Sequence, residues 1–287
     1  MHTIQINDDT YQVPSSWDGL TRKQLEYLAR ISQGNQPVEQ LKILMLLYCL
    51  GARMKRPPKL RGVKPDKVVG IQSNRYAVRI RRKVYQLMVD EVITMSNLFD
   101  WLLRFVKGKY QNTYCICPGL TVNPYPRLRI RLRRFTGPDD CLFDITFEQF
   151  MYLQTYLDAA AADPQKLEYA LACLWHTGRT FDIARLERDA RRLRRLPATR
   201  KMVMYWFILG SMECWAASYP RVFGGSGGGK VVGNVFDGQL RLLDSLAQHD
   251  MTKKDSVRKG LFVDALYSMD EQLRIQEEMK EKMQPKV

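Results

Sequence analysis

The sequence predicts a predominantly α chain with small β elements, an α+β protein of duplicated helical hairpins preceded by short β-strands. Three observations predict it. First, the stretch Trp17-Asp18-Gly19-Leu20-Thr21-Arg22-Lys23-Gln24-Leu25-Glu26-Tyr27-Leu28 returns as Phe143-Asp144-Ile145-Thr146-Phe147-Glu148-Gln149-Phe150-Met151-Tyr152-Leu153. Each copy sets Thr three residues before Gln, the spacing of a capping box, in which both side chains satisfy free backbone N–H groups at a helix start. Second, each copy is followed by a short break and another apolar helix, over 40–50 and 166–175. Third, strand-like alternation precedes the repeat. Two copies fall short of the three or more that a solenoid needs, so the repeat implies a compact domain.

In chain order, residues 3–13 alternate around Ile4, Ile6, Tyr11 and Val13 with Asn7-Asp8-Asp9 between them, a short β-hairpin. Pro14 closes it, and the first helix begins after Thr21. The second helix, 38–50, places Leu41, Leu44, Met45 and Tyr48 on one face and stops at Gly51. A basic Pro-rich linker, 55–61, leads to strand-like sequence over 76–87. A helix is expected from 90 to 106, carrying Val92, Phe99, Trp101, Leu102 and Phe105, and then a long loop over 107–126. The segment 127–135 reads as one strand: Leu128, Ile130 and Leu132 on one face, Arg127, Arg129, Arg131 and Arg133 on the other. A turn at 136–140 leads into the second repeat copy. Its helix stops near Asp163-Pro164, and a partner helix fills 165–175. A helix around Ile183, Leu186, Ala190 and Leu193 shows Arg188, Arg191, Arg192, Arg194 and Arg195 on its other side, and another runs from 202 to 217. The glycine run 224–229 is the one low-complexity stretch, followed by helices over 236–247 and 252–283. The expected organisation is a hairpin and helical domain over 1–222, a linker over 223–235 and a C-terminal helical pair over 236–287.

Composition sets bounds. A chain of 287 residues, 45% hydrophobic, buries about 75% of its unfolded surface and needs no staples. The formal charge of +15 favours anionic partners, whether nucleic acid, acidic protein faces or membrane surface, or else a solvated basic face. Cys49, Cys173 and Cys214 lie in apolar helical runs, and no signal peptide opens the sequence, so a reducing, intracellular setting is expected. The longest apolar run, 202–217, is broken by Ser211 and Glu213 and is too short to span a bilayer, so no membrane partner is expected.

Motifs with chemistry are scarce. The segment 224–230 fits G-x-x-x-x-G-K, but Val231 follows where a phosphate-binding loop needs Ser or Thr for magnesium. Cys115 and Cys117 form one C-x-C pair with no second pair at zinc spacing. His176 and His249 have no triad or metalloprotease motif around them, and Asp139-Asp140 reads as turn chemistry. The expectation is therefore a non-enzyme without catalytic residues, metal or cofactor. Two surfaces remain as candidates. One is for an anion or a partner: Arg127, Arg129, Arg131 and Arg133 on the strand, with Arg191, Arg194 and Arg195 on the later helix. The other is for docking a partner: Phe262, Leu266, Met269 and Leu273 at helical spacing on the last helix, or else a stripe packed on Leu240, Leu243 and Leu246.

The chain also resembles proteins of tail gene clusters in bacteriophages and prophages of the gut Bacteroidetes type. The likeness is carried by Pro14-Ser15-Ser16-Trp17-Asp18-Gly19-Leu20-Thr21-Arg22-Lys23-Gln24-Leu25, by Asn123-Pro124-Tyr125-Pro126-Arg127, and by Arg134-Phe135-Thr136-Gly137-Pro138-Asp139-Asp140 with the second repeat copy. Within that group it is most similar to tail-assembly chaperones. That resemblance implies a non-enzymatic protein that binds a helical tail or virion protein, in the bacterial host cytoplasm or carried into the particle. Nucleic-acid binding through the Arg-rich faces is the alternative.

Overall fold

The structure, a computed structural model, describes residues 1–34, 37–54, 75–107, 112–223 and 235–283. It is mostly helical with small antiparallel sheets, the α+β class expected. The chain divides into two compact units, Met1–Pro118 and Gly119–Val287. The division falls between the two repeat copies, whereas the sequence suggested a break at the glycine run, which lies outside the described residues. Each copy nucleates its own core, around Leu25, Leu28 and Met45 in the first unit and around Phe147, Phe150 and Leu153 in the second. The described C-terminal helices, expected as a separate pair, belong to the second unit.

The first unit opens with the ribbon β1 (His2–Ile6) and β2 (Asp9–Val13), which buries Ile4, Ile6, Tyr11 and Val13 on one face. A 3₁₀ turn at Trp17–Gly19 leads to α1 (Arg22–Ser32), which packs on α2 (Val38–Cys49). Gly51, at φ +63°, ends that helix in a conformation that costs glycine little. β3 (Ala52–Met54), β4 (Arg75–Ile80) and β5 (Lys83–Met88) form an antiparallel sheet. The strand expected over 76–87 is thus a hairpin, turning at Arg81-Arg82 with Arg81 at φ 52°. The helix expected over 90–106 is α3 (Val89–Ser96), then a 3₁₀ stretch Asn97–Leu102, then β6 (Leu103–Lys107). β6 pairs with β7 (Asn112–Ile116), where a loop was expected. Phe105 is exposed and stands 5.3 Å from Tyr114, its cross-strand partner, so the apolar residues beyond Leu102 serve strand pairing rather than a helix face.

The second unit repeats the opening order. The ribbon β8 (Arg127–Ile130) and β9 (Arg133–Thr136) precedes a 3₁₀ turn at Asp140–Leu142 and α4 (Phe147–Ala162), which packs on α5 (Leu167–Leu174). Both capping boxes are present. Thr21 N–H donates to Gln24 Oε1 at 2.8 Å and Gln24 N–H to Thr21 Oγ1 at 3.4 Å; the Thr146–Gln149 distances are 2.9 and 3.2 Å. Each Gln amide also ties its helix to the end of the next one. Gln24 Nε2 donates to Cys49 Sγ at 3.3 Å, and Gln149 Nε2 to the Cys173 carbonyl at 3.0 Å. The aromatic match between the copies does not carry over, because Trp17 is 4% exposed and Phe143 53%; the buried place before the second capped helix goes to Leu142. α6 (Ile183–Leu193), α7 (Ala198–Ser218), the short α8 (Pro220–Phe223) and α9 (Val235–Leu246) follow. The last expected helix is two, α10 (Lys254–Lys259) and α11 (Phe262–Met283). The chain leaves the helix at Gly260, where Leu261 bridges to Thr146 and Phe262 N–H donates to the Ile145 carbonyl at 2.9 Å. Loss of one cap, Thr146→Ala, should lower the unfolding free energy by about 1 kcal/mol. Urea titration by circular dichroism measures this, and an unchanged midpoint would show that the box adds nothing.

Candidate functional site

Two of the segments quoted for the resemblance, 123–127 and 134–140, meet in one hydrogen-bonded lock in the second unit. Asn123 is 6% exposed. Its Nδ2 donates to the Pro138 carbonyl at 2.5 Å, its Oδ1 accepts from Tyr125 N–H at 2.8 Å, and its own N–H donates to Asp140 Oδ1 at 2.7 Å. Gly137 N–H donates to the Pro126 carbonyl at 2.9 Å, and Trp175 Nε1 to the Tyr125 carbonyl at 2.8 Å. A Cβ on Gly137 would stand 2.3 Å from Trp175 Nε1, so only glycine lets that indole reach its acceptor. Asp139 N–H donates to Asp144 Oδ1 at 2.8 Å. The side chains of Asn123, Asp140 and Asp144 thus hold backbone around the base of β8–β9. Asp139-Asp140 acts here as turn chemistry, as the sequence suggested.

That lock presents the arginine ribbon. The sequence suggested a single strand with Arg127, Arg129, Arg131 and Arg133 on one face; the structure makes it a hairpin. Pairing is Arg127↔Thr136, Leu128↔Phe135, Arg129↔Arg134 and Ile130↔Arg133. Opposed residues share a face. Leu128, Ile130 and Phe135 therefore bury the inner face, while Arg127, Arg129 and Arg134 stand on the outer one. Arg131 is in the turn at φ 53°, and Arg133 lies exposed beside Ile130 at the turn end. Leu132, expected on the buried face, is 85% exposed at the tip. Arg134, not among the expected site residues, sits directly across from Arg129, a placement visible only once the register is known. Arg129 Nε donates to the Arg131 carbonyl at 3.1 Å and supports the turn. The β4–β5 hairpin makes the same contact, Arg79 Nε to the Arg81 carbonyl at 3.3 Å.

The helical arginines divide. Arg191 is paired with Glu187 at 2.6 Å, one turn away on an exposed face. Arg194 and Arg195 lie exposed just past α6. Arg192 reaches inward to Asp189, which is 1% exposed and also accepts from Thr177 N–H and Oγ1 at 3.0 Å. The next residue back, His176, exchanges backbone hydrogen bonds with Thr136 at the end of β9. α6 and the arginine ribbon are thus anchored at one junction.

The proposed docking stripe is largely filled by the chain itself. Phe262 and Leu266 are each 1% exposed, and Met269 9%. Phe262 stacks on Phe150 at 3.7 Å and lies 5.0 Å from Trp215. The partners are the aromatics of α4 and α7, brought there by the turn at Gly260, and not only the leucines of α9. The far end of the stripe opens into a groove of about 460 Å³ between α4, α8, α9 and α11. Phe262, Leu266 and Met269 line it from within, beside the half-buried Leu273.

Burial also shifts several titratable groups. Burial pushes the Cys49 thiol up to about 12 and the Cys173 thiol higher still, so neither forms a thiolate near neutrality. Burial lowers the His176 pKa and raises that of Asp144. Among the described residues no group of three or more His, Cys, Asp or Glu could hold a metal ion, and no helix is long and apolar enough to cross a membrane. Comparison with protein-family models, curated proteins and solved structures returns no match for the chain.

Proposed function

We propose that the chain is a non-enzymatic assembly protein of the phage tail-cluster type, similar to tail-assembly chaperones, which binds a helical tail or virion protein in the bacterial host cytoplasm. The single observation that carries the reading is the groove between α4, α8, α9 and α11. Its lining alternates apolar side chains, Phe150, Leu242 and Leu273 among them, with the amides of Gln154, Gln272 and Gln276. An apolar floor with amide rims suits an amphipathic helix laid along it. The resemblance residues support the same reading, because they build structure instead of presenting reactive groups. The test is co-expression with the neighbouring tail genes followed by pull-down, using the native chain and Leu273→Arg. The native chain should retain one tail protein and the variant should lose it with only a small change in melting temperature. Equal retention by the two chains would take the groove out of the reading.

A further inference from the structure

We propose that the β8–β9 ribbon is a docking surface for duplex nucleic acid, with Arg127, Arg129 and Arg134 on the phosphate backbone and Leu132 as a wedge at the tip. The proposal does not depend on the protein-binding groove, which other residues line. Four observations carry it. Arg129 and Arg134 are directly opposed, an arrangement that repels and destabilises a bare hairpin. None of the five ribbon arginines is paired with a carboxylate among the described residues. The β4–β5 hairpin supplies an internal contrast. Lys83, which follows that turn as Arg133 follows this one, is held by Asp9 at 2.6 Å, so the position that is charge-paired in one hairpin is left without a carboxylate in the other. Finally, Leu132 is 85% exposed between Arg131 and Arg133. Among the described residues nothing covers that apolar side chain.

Two macromolecules could answer such a charge, an acidic protein or a nucleic acid, and the tip favours the second. Arginine offers a planar fork that matches phosphate oxygens. A two-stranded ribbon fits a groove of B-form DNA. Apolar side chains flanked by arginines enter between base steps and kink the duplex. No aromatic side chain stands beside the ribbon arginines in sequence on the outer face, so base stacking on a single strand has no platform. The electrostatic contribution is independent of sequence, and binding is expected to be non-specific.

The experiment is fluorescence anisotropy with a labelled duplex of about 30 base pairs over a NaCl series, using the whole chain. The Arg129→Gln/Arg134→Gln variant should bind roughly tenfold weaker per arginine, and its log–log salt slope should fall by about 2. Its melting temperature should change little, since relief of the opposed charges offsets loss of the Arg129 contact to the Arg131 carbonyl. Leu132→Ser should weaken binding with the salt slope unchanged. A control of equal charge, Arg82→Gln/Lys259→Gln, should stay within about twofold of the native chain. An unchanged salt slope in the double variant would overturn the proposal, and so would an equal loss in the control. Tighter binding to polyglutamate than to DNA at the same salt would overturn it in favour of an acidic protein. Full binding by Leu132→Ser would remove the wedge.

Discussion

Phe262→Ala should destabilise the second unit by about 4 kcal/mol, a large share of the roughly 5–15 kcal/mol that holds a domain folded. The ring is 1% exposed and lies stacked on Phe150, 5.0 Å from Trp215 and 5.9 Å from Phe147. Truncation removes the buried area and opens a cavity among large aromatics that cannot collapse into it. The residue also begins α11, where its N–H holds the Ile145 carbonyl at the entry to α4. A loosened α11 therefore releases both walls of the groove. Leu273→Arg, on the half-buried end of the same stripe, should cost far less. Chemical denaturation of the two variants separates core from surface. Near-native stability in Phe262→Ala together with a lost partner would return that position to the docking surface.

That contrast shows what hydrophobic periodicity can and cannot say. Phe262, Leu266, Met269 and Leu273 recur at helical spacing, and the spacing correctly marks a face that leaves water. It does not say whether the chain or a partner covers that face. The answer came from Gly260, whose extended conformation turns α11 onto α4, a long-range event with no local signature. The capping boxes were legible because Thr and Gln act within one turn of helix. The ribbons were legible as β structure but not as hairpins. Alternation runs straight through Arg81-Arg82 and Arg131-Leu132, with neither Gly nor Asn to mark the positive φ, and the turns are supported instead by arginine side chains. As a result the face assignment of Arg131, Leu132 and Arg133 was lost, and Arg134 was missed. The repeat was legible by sequence spacing; counted back four residues from each capping Thr, Leu142 stands where Trp17 does, and both are buried.

Asp189→Ala should cost about 3–5 kcal/mol, because it strands the partners of a carboxylate that is 1% exposed. Thr177 N–H and Oγ1 lose an acceptor, and Arg192, with a quarter of its side chain exposed, loses its counter-charge at 3.1 Å. Asp189→Asn should cost less, since one amide oxygen still accepts. Removing Arg192 as well should recover part of the loss in a double-mutant cycle, because the uncompensated guanidinium goes with it. The damage should also spread in a defined direction. Thr177 adjoins His176, and His176 holds Thr136 at 3.0 and 3.2 Å, at the base of the arginine ribbon. The amide protons of Thr136 and His176 should therefore exchange faster in Asp189→Ala than the change in global stability requires. If these two amides keep their native protection while α6 loosens, the ribbon is held by the Asn123–Asp140 lock alone. In that case the helical arginines and the ribbon do not share an anchor.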